Sequence, residues 1–206
     1  MPRQPRFLPP DSVYHIITRS NNQNIIFKDE EDFAYYLDLL AKFKKEHPFD
    51  LYHYCLMPTH VHKLLKISKN SEFSKFMKRL NLSYFHHYRQ KYGWSGHFWQ
   101  DRFKSKLVSQ DEYLIQCGKY IELNPVRAKI IESPEDYPWS GYRYYSQGKK
   151  NELITRDIFY DELGKNDQER QKNYQKMIIR ETIYLDNSSL ATGPREFVYN
   201  VKRKAK

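Results

Sequence analysis

The sequence predicts an α+β fold in which a four-stranded antiparallel sheet carries two helices on one face. Two observations predict it. Apolar residues alternate with a period of two in four short stretches and recur at helical spacing in three longer ones. These stretches follow each other in the order strand, helix, strand, strand, helix, strand, helix. This order is that of the split β-α-β, or ferredoxin-like, arrangement, and it leaves the second face of the sheet free for the third helix.

The first half of this unit supplies three strands and one helix. Residues 12–19 alternate with both faces partly apolar and form the first predicted strand. Asp29 then has the character of a helix N-cap, and three acidic residues follow it in the first turn, where the helix dipole favours them. This helix is predicted to end near His47. The next two strands, 49–57 and 60–67, are joined by two residues only, so we expect them to pair antiparallel.

The second half of the unit adds a helix, a strand and a further helix. An apolar stripe at helical spacing predicts a helix over residues 71–91, and an extended stretch follows at 103–108. Ser109 begins an S-x-x-E sequence, which has the form of a capping box and therefore starts the third helix. Pro125 ends or bends that helix, because proline lacks a backbone N–H and restricts the residue before it.

Beyond residue 131 the pattern weakens. Residues 134–145 are rich in turn-forming types and predict a strap, residues 151–185 have a mixed helical pattern, and the chain ends in a basic tail. We therefore expect a domain over residues 1–131, followed over 132–206 by a strap and a mostly helical C-terminal extension.

The charge balance indicates a polyanionic partner. The chain has 35 Lys and Arg against 25 Asp and Glu, which gives a net charge of +10. It also has 18 Tyr and 12 Phe. Basic side chains hold phosphates while aromatic faces stack bases, and this combination is typical of proteins that bind single-stranded nucleic acid. Most of the aromatic residues are nevertheless expected in the core.

The same composition bears on the compartment. No apolar run approaches the roughly 20 residues that a membrane-spanning helix needs, and the first residues lack the apolar core of a signal peptide. We therefore expect a cytoplasmic protein with no membrane contact. Cys55 and Cys117 form no C-x-x-C pair and are expected to be reduced, buried thiols.

His60 and His62 are the first candidate site residues. They are two apart on a predicted strand, so both imidazoles project from the same face of the sheet. Two neutral imidazoles on one face form half of a divalent-metal site when a third ligand arrives from elsewhere. The alternative is that the pair is ordinary amphipathic filling of a strand.

Tyr120 and Asn124 are the second pair. They are four apart in the third helix and therefore share a face. If this helix lies across the histidine face, a tyrosine hydroxyl and an amide oxygen reach the same metal, an arrangement suited to attack on a phosphodiester. Glu122 is the nearest carboxylate in sequence, but it points elsewhere on a helix. The alternative for Tyr120 is a half-buried helix tyrosine without a catalytic role.

Several segments resemble one known family. Segment 55–62, CLMPTHVH, resembles the H-hydrophobic-H motif of the single-tyrosine HUH transposases, the IS200-like family. Segment 120–128, YIELNPVRA, is similar to the tyrosine motif of one branch, the REP-associated tyrosine transposases. Segment 96–105, GHFWQDRFKS, is similar to the block before the catalytic helix in that branch, and shorter matches occur at Tyr14-His15 and at 137–140. The five blocks occur in the family's order.

The resemblance implies a role for each matched residue. Tyr120 would be the nucleophile, forming a 5′-phosphotyrosine bond and releasing a 3′-OH. His60 and His62 would hold Mg²⁺ or Mn²⁺, with Asn124 as third ligand in the position that a glutamine takes in related branches. The family has a ferredoxin-like fold, and its substrates in this branch are single-stranded or hairpin DNA at repeat elements.

The sequence departs from the family pattern at several positions. Thr59 stands where the family usually has Asn before the first histidine, and Asp101 replaces a usual Gly. Lys63 interrupts what is normally an apolar strand. We expect Lys63 to weaken that strand and Asp101 to weaken the contact with DNA.

Three basic residues that flank the site in sequence, Arg102, Lys104 and Arg127, are the candidate DNA-binding residues, with solvated surface charges as the alternative. The sequence predicts a metal-dependent enzyme that nicks and transfers DNA strands. A non-catalytic binder of single-stranded or hairpin nucleic acid, and a hydrolase that attacks with water, stay open. Family members include monomers and homodimers that trade the catalytic helix, so either state is possible for this chain.

Overall fold

The structure is a computed structural model that describes residues 7–69, 72–108 and 111–186. Its strands are β1 (Val13–Arg19), β2 (Phe49–Met57), β3 (His60–Ile67) and β4 (Lys104–Val108). Its helices are α1 (Glu30–Glu46), α2 (Phe73–Tyr92), α3 (Asp111–Glu122), α4 (Asn124–Arg127), α5 (Tyr142–Gln147) and α6 (Asp167–Asp186).

The four strands form one antiparallel sheet in the order β2-β3-β1-β4. This is the ferredoxin-like arrangement, so the predicted fold class is confirmed. In the register between β1 and β3, Ile17 lies opposite His62 and Arg19 lies opposite His60. The strand β3 is continuous from His60 to Ile67, with Lys63 in its middle.

Helices α1 and α2 cover one face of the sheet. Their apolar stripes are buried there, with Phe33, Tyr36 and Leu40 from α1 and Phe76 and Leu80 from α2. The side chain of Asp29 accepts a hydrogen bond from the backbone N–H of Asp32, which confirms the predicted N-cap of α1. Helix α2 ends at Gly93, whose φ of 64° is the left-handed conformation that favours glycine.

Helix α3 lies on the opposite face, over β2 and β3. It buries Leu114, Cys117 and Ile121 against the sheet, and Cys55 of β2 is in the same apolar cluster. These apolar residues of α3 form the stripe of the helix that faces the sheet. Tyr120 lies on the flank of α3 and is 37% exposed. The helix turns its most apolar stripe inward because burial of apolar surface outweighs the placement of one amphipathic ring.

The C-terminal extension runs along the outer edge of β2. The backbone N–H groups of Leu56, Gly141 and Thr155 donate to carbonyls across this edge, at 2.9, 3.0 and 2.8 Å. These bonds cover a strand edge that would otherwise be open to pairing with another chain. Helices α5 and α6 then pack beside β2.

The prediction of a helix over 151–185 is wrong in its first part. Residues 151–166 contain only a 3-10 turn at Asp161–Leu163, and the helix starts at Asp167. The reason is that Thr155 pairs its backbone with β2, which requires an extended chain. The predicted capping residue Ser109 and the basic tail lie outside the described residues.

No helix among the described residues is long and apolar enough to cross a bilayer. Both Cys55 and Cys117 are free and buried, as expected.

Candidate active site on the open face of the sheet

The structure brings the two histidines of β3 together on the face that α3 covers. The ring centroids of His60 and His62 are 4.8 Å apart. His62 is fully buried, whereas His60 is partly accessible. Two imidazoles at this separation on one face are arranged as a pair of ligands would be.

Hydrogen bonds hold the Nδ1 atom of each ring. His62 Nδ1 lies 2.9 Å from Nε2 of His15 on β1, and the two rings stack with centroids 5.1 Å apart. His60 Nδ1 lies 2.9 Å from the hydroxyl oxygen of Thr59. Both partners therefore fix a ring orientation in which Nε2 is the remaining nitrogen, as occurs in metal-binding histidines.

The buried Nε2 atom of His62 has no hydrogen-bond partner within the described structure. A buried polar atom of this kind costs free energy unless something satisfies it. A divalent cation would satisfy it, and so the donor set fits a metal.

Burial keeps these imidazoles neutral. It lowers the pKa of His60 to about 4, with the charge of Arg19 acting in the same direction. It lowers the pKa of His15 to about 4, and the charge of Lys106 adds to this. Burial also holds the pKa of His62 well below its usual value. Since only a neutral imidazole nitrogen can bind a metal, all three rings are in the right state at neutral pH.

Tyr120 reaches the same place from α3. Its ring lies edge-on to His62, with centroids 5.8 Å apart, and edge-on to His15 at 6.1 Å. The guanidinium carbon of Arg127 is 4.9 Å from the centroid of the Tyr120 ring, a cation–π distance. The tyrosine is thus held between two imidazoles and a cation while its ring stays partly accessible.

Asn124 follows α3 and is nearly buried. Its amide nitrogen donates to the backbone oxygens of Tyr120 at 2.8 Å and Ile121 at 3.3 Å. These bonds satisfy the last carbonyls of α3, and the amide oxygen remains as a potential ligand. Within the described part of the chain, no three His, Cys, Asp or Glu side chains are arranged to hold a metal. Further ligands must therefore come from another type of residue, such as Asn124, or from the substrate.

The candidate DNA-binding residues are in three different places. Lys104 is opposite Ile17 on β4 and is exposed on the histidine face. Arg127 packs on Tyr120, as described above. Arg102 lines a groove of about 730 Å³ between α2 and residues 96–103, on the other side of the sheet edge.

Sequence reasoning missed three residues of this face: His15, Arg19 and Lys106. In the observed register, all three side chains project from the same face of the sheet as His60 and His62. The alternation of β1 already placed His15 and Arg19 on one side of that strand. What the sequence did not contain was the register that sets β1 beside β3.

The fold and the site together define a class: ferredoxin-like proteins in which a strand histidine pair faces a tyrosine on a helix that covers the open face of the sheet. Comparison with known proteins gives the family. The model of the IS200-like transposases matches residues 10–124, and the chain belongs to that family. The resemblance seen in the sequence motifs is confirmed.

The relatives include members of the expected branch. A protein of Haemophilus influenzae that is named as a REP-associated tyrosine transposase is 28% identical over an alignment of 127 positions, which covers 53% of this chain and 72% of the relative. Among solved structures, a REP-associated tyrosine transposase bound to a REP hairpin superposes with a TM-score of 0.59 at 17% identity. The match covers 77% of this chain and 93% of the other. At that identity, the superposition supports the fold alone.

Proposed function

We propose that the protein nicks single-stranded or hairpin DNA at repeat elements and transfers the cut strand, using Tyr120 as a covalent nucleophile. One observation carries the proposal. The ring of Tyr120 lies on the free flank of α3, 5.8 Å from the ring of a buried histidine whose Nε2 atom has no partner. Family membership and the hairpin bound by the similar solved structure support the choice of substrate.

The reaction has two halves. The hydroxyl oxygen of Tyr120 attacks the scissile phosphorus and forms a 5′-phosphotyrosine bond, its proton passing to solvent. The bond from phosphorus to the 3′ oxygen breaks, and that oxygen takes up a proton to become a 3′-OH. In strand transfer, the 3′-OH of another strand attacks the phosphotyrosine and restores the tyrosine hydroxyl.

Side chains around the tyrosine have separate tasks. His60, His62 and Asn124 would hold Mg²⁺ or Mn²⁺, which supplies a Lewis acid that polarises the scissile phosphate when bound. Arg127, on the ring of Tyr120, is placed to neutralise the phosphate that becomes attached there. His15 keeps the ring of His62 in a fixed orientation.

The basic side chains on the histidine face would hold the DNA backbone. Arg19 and Lys104 are exposed on this face, and Arg19 lies opposite His60 in the register. Such contacts give affinity and register rather than base specificity. We also assign a backbone contact to Arg102, through the groove beside α2.

The test follows both ends of a hairpin DNA taken from repeats beside the gene. A label at the 3′ end of the strand reports the protein–DNA adduct on a denaturing gel, and a label at the 5′ end reports the released fragment with its 3′-OH. We expect the adduct with Mg²⁺ or Mn²⁺ and its loss in Tyr120→Phe and His62→Ala. Tyr35→Phe is the matched control, since Tyr35 is an exposed tyrosine on α1.

Other outcomes identify the other functions. Binding without cleavage across several hairpins indicates a non-catalytic binder. Cleavage without an adduct, unaffected by Tyr120→Phe, indicates hydrolysis by water. Either result contradicts the proposal.

A further inference from the structure

A second cluster of ionisable side chains is buried on the other flank of α3. Its centre is His53 of β2, which is 3% exposed. His53 Nδ1 lies 2.8 Å from a carboxylate oxygen of Glu122, and Nε2 lies 3.3 Å from a carboxylate oxygen of Asp157. Burial alone would lower the pKa of His53, but Glu122 and Asp157 raise it to about 9. At neutral pH, an imidazolium is therefore held between two carboxylates.

The C-terminal extension completes this cluster. The hydroxyl of Tyr174 on α6 donates to the second carboxylate oxygen of Glu122 at 2.5 Å. The ring of Tyr145 on α5 stacks on His53, with centroids 4.6 Å apart, and also stacks on Tyr174 at 5.2 Å. Both oxygens of Glu122 and both nitrogens of His53 thus have partners, as a buried ionic group requires. The proposed chemistry uses none of these groups.

Gly118 explains how α3 comes so close to His53. A Cβ atom at position 118 would lie 2.8 Å from the Nε2 atom of His53. A side chain at position 118 would therefore push His53 and α3 apart. Gly118 and Glu122 are one helical turn apart, so they form a single stripe along α3 that rests on the histidine.

This stripe and Tyr120 are on opposite flanks of one helix. Gly118 and Glu122 contact β2, whereas Tyr120 contacts His62 of β3 and His15 of β1. Since β3 lies between β2 and β1 in the sheet, α3 lies over β3, with Gly118 and Glu122 on the β2 side and Tyr120 on the β1 side. A rotation of α3 that moves Glu122 away from His53 must also move Tyr120 relative to the histidine pair.

We propose that Glu122 is a positioning residue for Tyr120, and that His53, Asp157 and Tyr174 anchor it so that the C-terminal extension sets the rotation of α3. The inference rests on the proposed function of Tyr120. It assigns the extension an indirect task in catalysis, because the extension contributes no residue that touches the reacting atoms.

The first experiment separates positioning from binding. Asp157→Asn is the best variant, because Asp157 belongs to the extension rather than to α3 and contacts His53. We expect the single-turnover rate of adduct formation to fall about 10- to 100-fold, the cost of a misplaced reacting group. The Kd for the hairpin should stay within about twofold, since the DNA-facing charges are untouched. Asp161→Asn is the matched control, a surface carboxylate of the same extension that pairs with Arg156 and Arg170.

The second experiment needs neither DNA nor metal. Cys117 lies on the sheet-facing side of α3 and is 8% exposed, and burial raises its pKa to about 12, so its alkylation by iodoacetamide reports the opening of α3. Peptide mapping separates it from Cys55. We expect Asp157→Asn and Glu122→Gln to increase the labelling rate of Cys117 several-fold. Ile16→Val, a core variant under α1 and α2, controls for a general loss of stability.

The outcomes are distinguishable. Faster labelling together with slower adduct formation at unchanged Kd supports the proposal. Unchanged labelling overturns it, as does faster labelling with an unchanged rate of adduct formation. If the wild type forms no adduct, the proposed function fails. Labelling of Cys117 then still decides whether the extension fixes α3.

Discussion

His15 Nε2 lies 2.9 Å from Nδ1 of His62, and this contact joins β1 to the histidine pair of β3. For Nε2 of His62 to offer a lone pair, its Nδ1 must carry the proton and donate to His15. In that tautomer, the contact with the neighbouring ring holds the orientation of the candidate ligand. His15 thereby becomes part of the site without touching the proposed metal.

Replacement of His15 should weaken metal binding. Loss of a residue that orients a ligand typically costs about 10- to 100-fold in metal affinity, and we expect this for His15→Leu. Titration of Mn²⁺ into the protein, followed by calorimetry or by the electron paramagnetic resonance of free Mn²⁺, measures it without DNA. His86→Leu is the control, because His86 is exposed on α2, which covers the other face of the sheet. An unchanged affinity in His15→Leu would show that His62 needs no orienting partner.

Thr59 should be needed for its hydroxyl rather than its shape. Its oxygen lies 2.9 Å from Nδ1 of His60, which corresponds to the bond that His15 makes to His62. We expect Thr59→Val, which keeps the shape, to lower Mn²⁺ affinity about 10-fold, and Thr59→Ser to retain it. Thr59→Asn, which restores the residue usual in the family, should also retain it. Equal affinity in the Val and Ser variants would contradict this role.

Arg127 should matter more for the chemical step than for binding. Its guanidinium carbon lies 4.9 Å from the ring centroid of Tyr120, and the proposed phosphate transfer would build up negative charge beside this ring. We expect Arg127→Gln to slow single-turnover adduct formation about 100-fold at saturating DNA. Arg127→Lys should recover only part of this, because lysine lacks the planar group that stacks on the ring. Arg143→Gln on α5, where the guanidinium bonds the carbonyl of Glu135, serves as control. If Arg127→Gln forms the adduct at the wild-type rate at saturating DNA, Arg127 contributes a phosphate contact in binding and nothing to the chemical step.

Local periodicity in the sequence was enough to predict most of the sheet and its helices. The order of apolar patterns gave the sheet and its helices, and a period of two placed His60 and His62 on one face. The position of Tyr120 on a helix over that face also followed from the order of elements. These features depend on residues close in sequence, where the pattern of burial is strong.

The rest depends on contacts between distant segments. The bond between His15 and His62 requires the register of two strands, which alternation alone does not specify. The rotation of α3 depends on the approach of Gly118 to His53. In the sequence, nothing distinguished His53 from the other residues of its strand. Asn124 shows the same limit, because its amide turns back to the carbonyl of Tyr120. Helical spacing predicts the direction of the Cα–Cβ bond, but it does not predict the conformation of the rest of the side chain.

The buried pair of Lys63 and Tyr36 should cost stability. Lys63 is fully buried beneath α1, its amine donates to the Tyr36 hydroxyl at 3.0 Å, and burial lowers its pKa to about 7. Tyr36→Phe removes the only hydrogen bond described for this amine and should lower the free energy of unfolding by about 1–3 kcal/mol. The double variant Lys63→Met/Tyr36→Phe should exceed the wild type by about 2 kcal/mol, since it removes both polar groups. Urea unfolding of the wild type, Tyr36→Phe, Lys63→Met and the double variant at pH 7 completes the cycle. A double variant less stable than the wild type would contradict this account.

The protonation of His53 in the folded protein should make the free energy of unfolding depend on pH. Its pKa of about 9 in the folded protein lies above the ordinary value of 6.5, so the folded state holds a proton that the unfolded state releases. The stabilisation is complete below pH 6.5 and is lost as pH rises through 9, and its size is about 3 kcal/mol. Lys63 has the opposite sign, because its lowered pKa makes stability rise above pH 7. The pH dependence of stability should therefore be measured in the Lys63→Met/Tyr36→Phe variant, which lacks the contribution of Lys63.

The groups facing His53 determine how this pH dependence responds to mutation. They are Glu122 from α3, Asp157 from the extension, Tyr145 from α5 and Tyr174 from α6, with Lys119 lining the adjacent cavity.

Burial raises the pKa of Tyr145 and Tyr174 well above the usual value, so neither ring titrates near pH 9. Asp157→Asn removes one of the two carboxylates, and should shift the loss of stability to lower pH and reduce its size. Urea unfolding between pH 6 and 9.5 measures both effects. A stability profile that falls identically with and without the Asp157 carboxylate would show that Asp157 does not raise the pKa of His53.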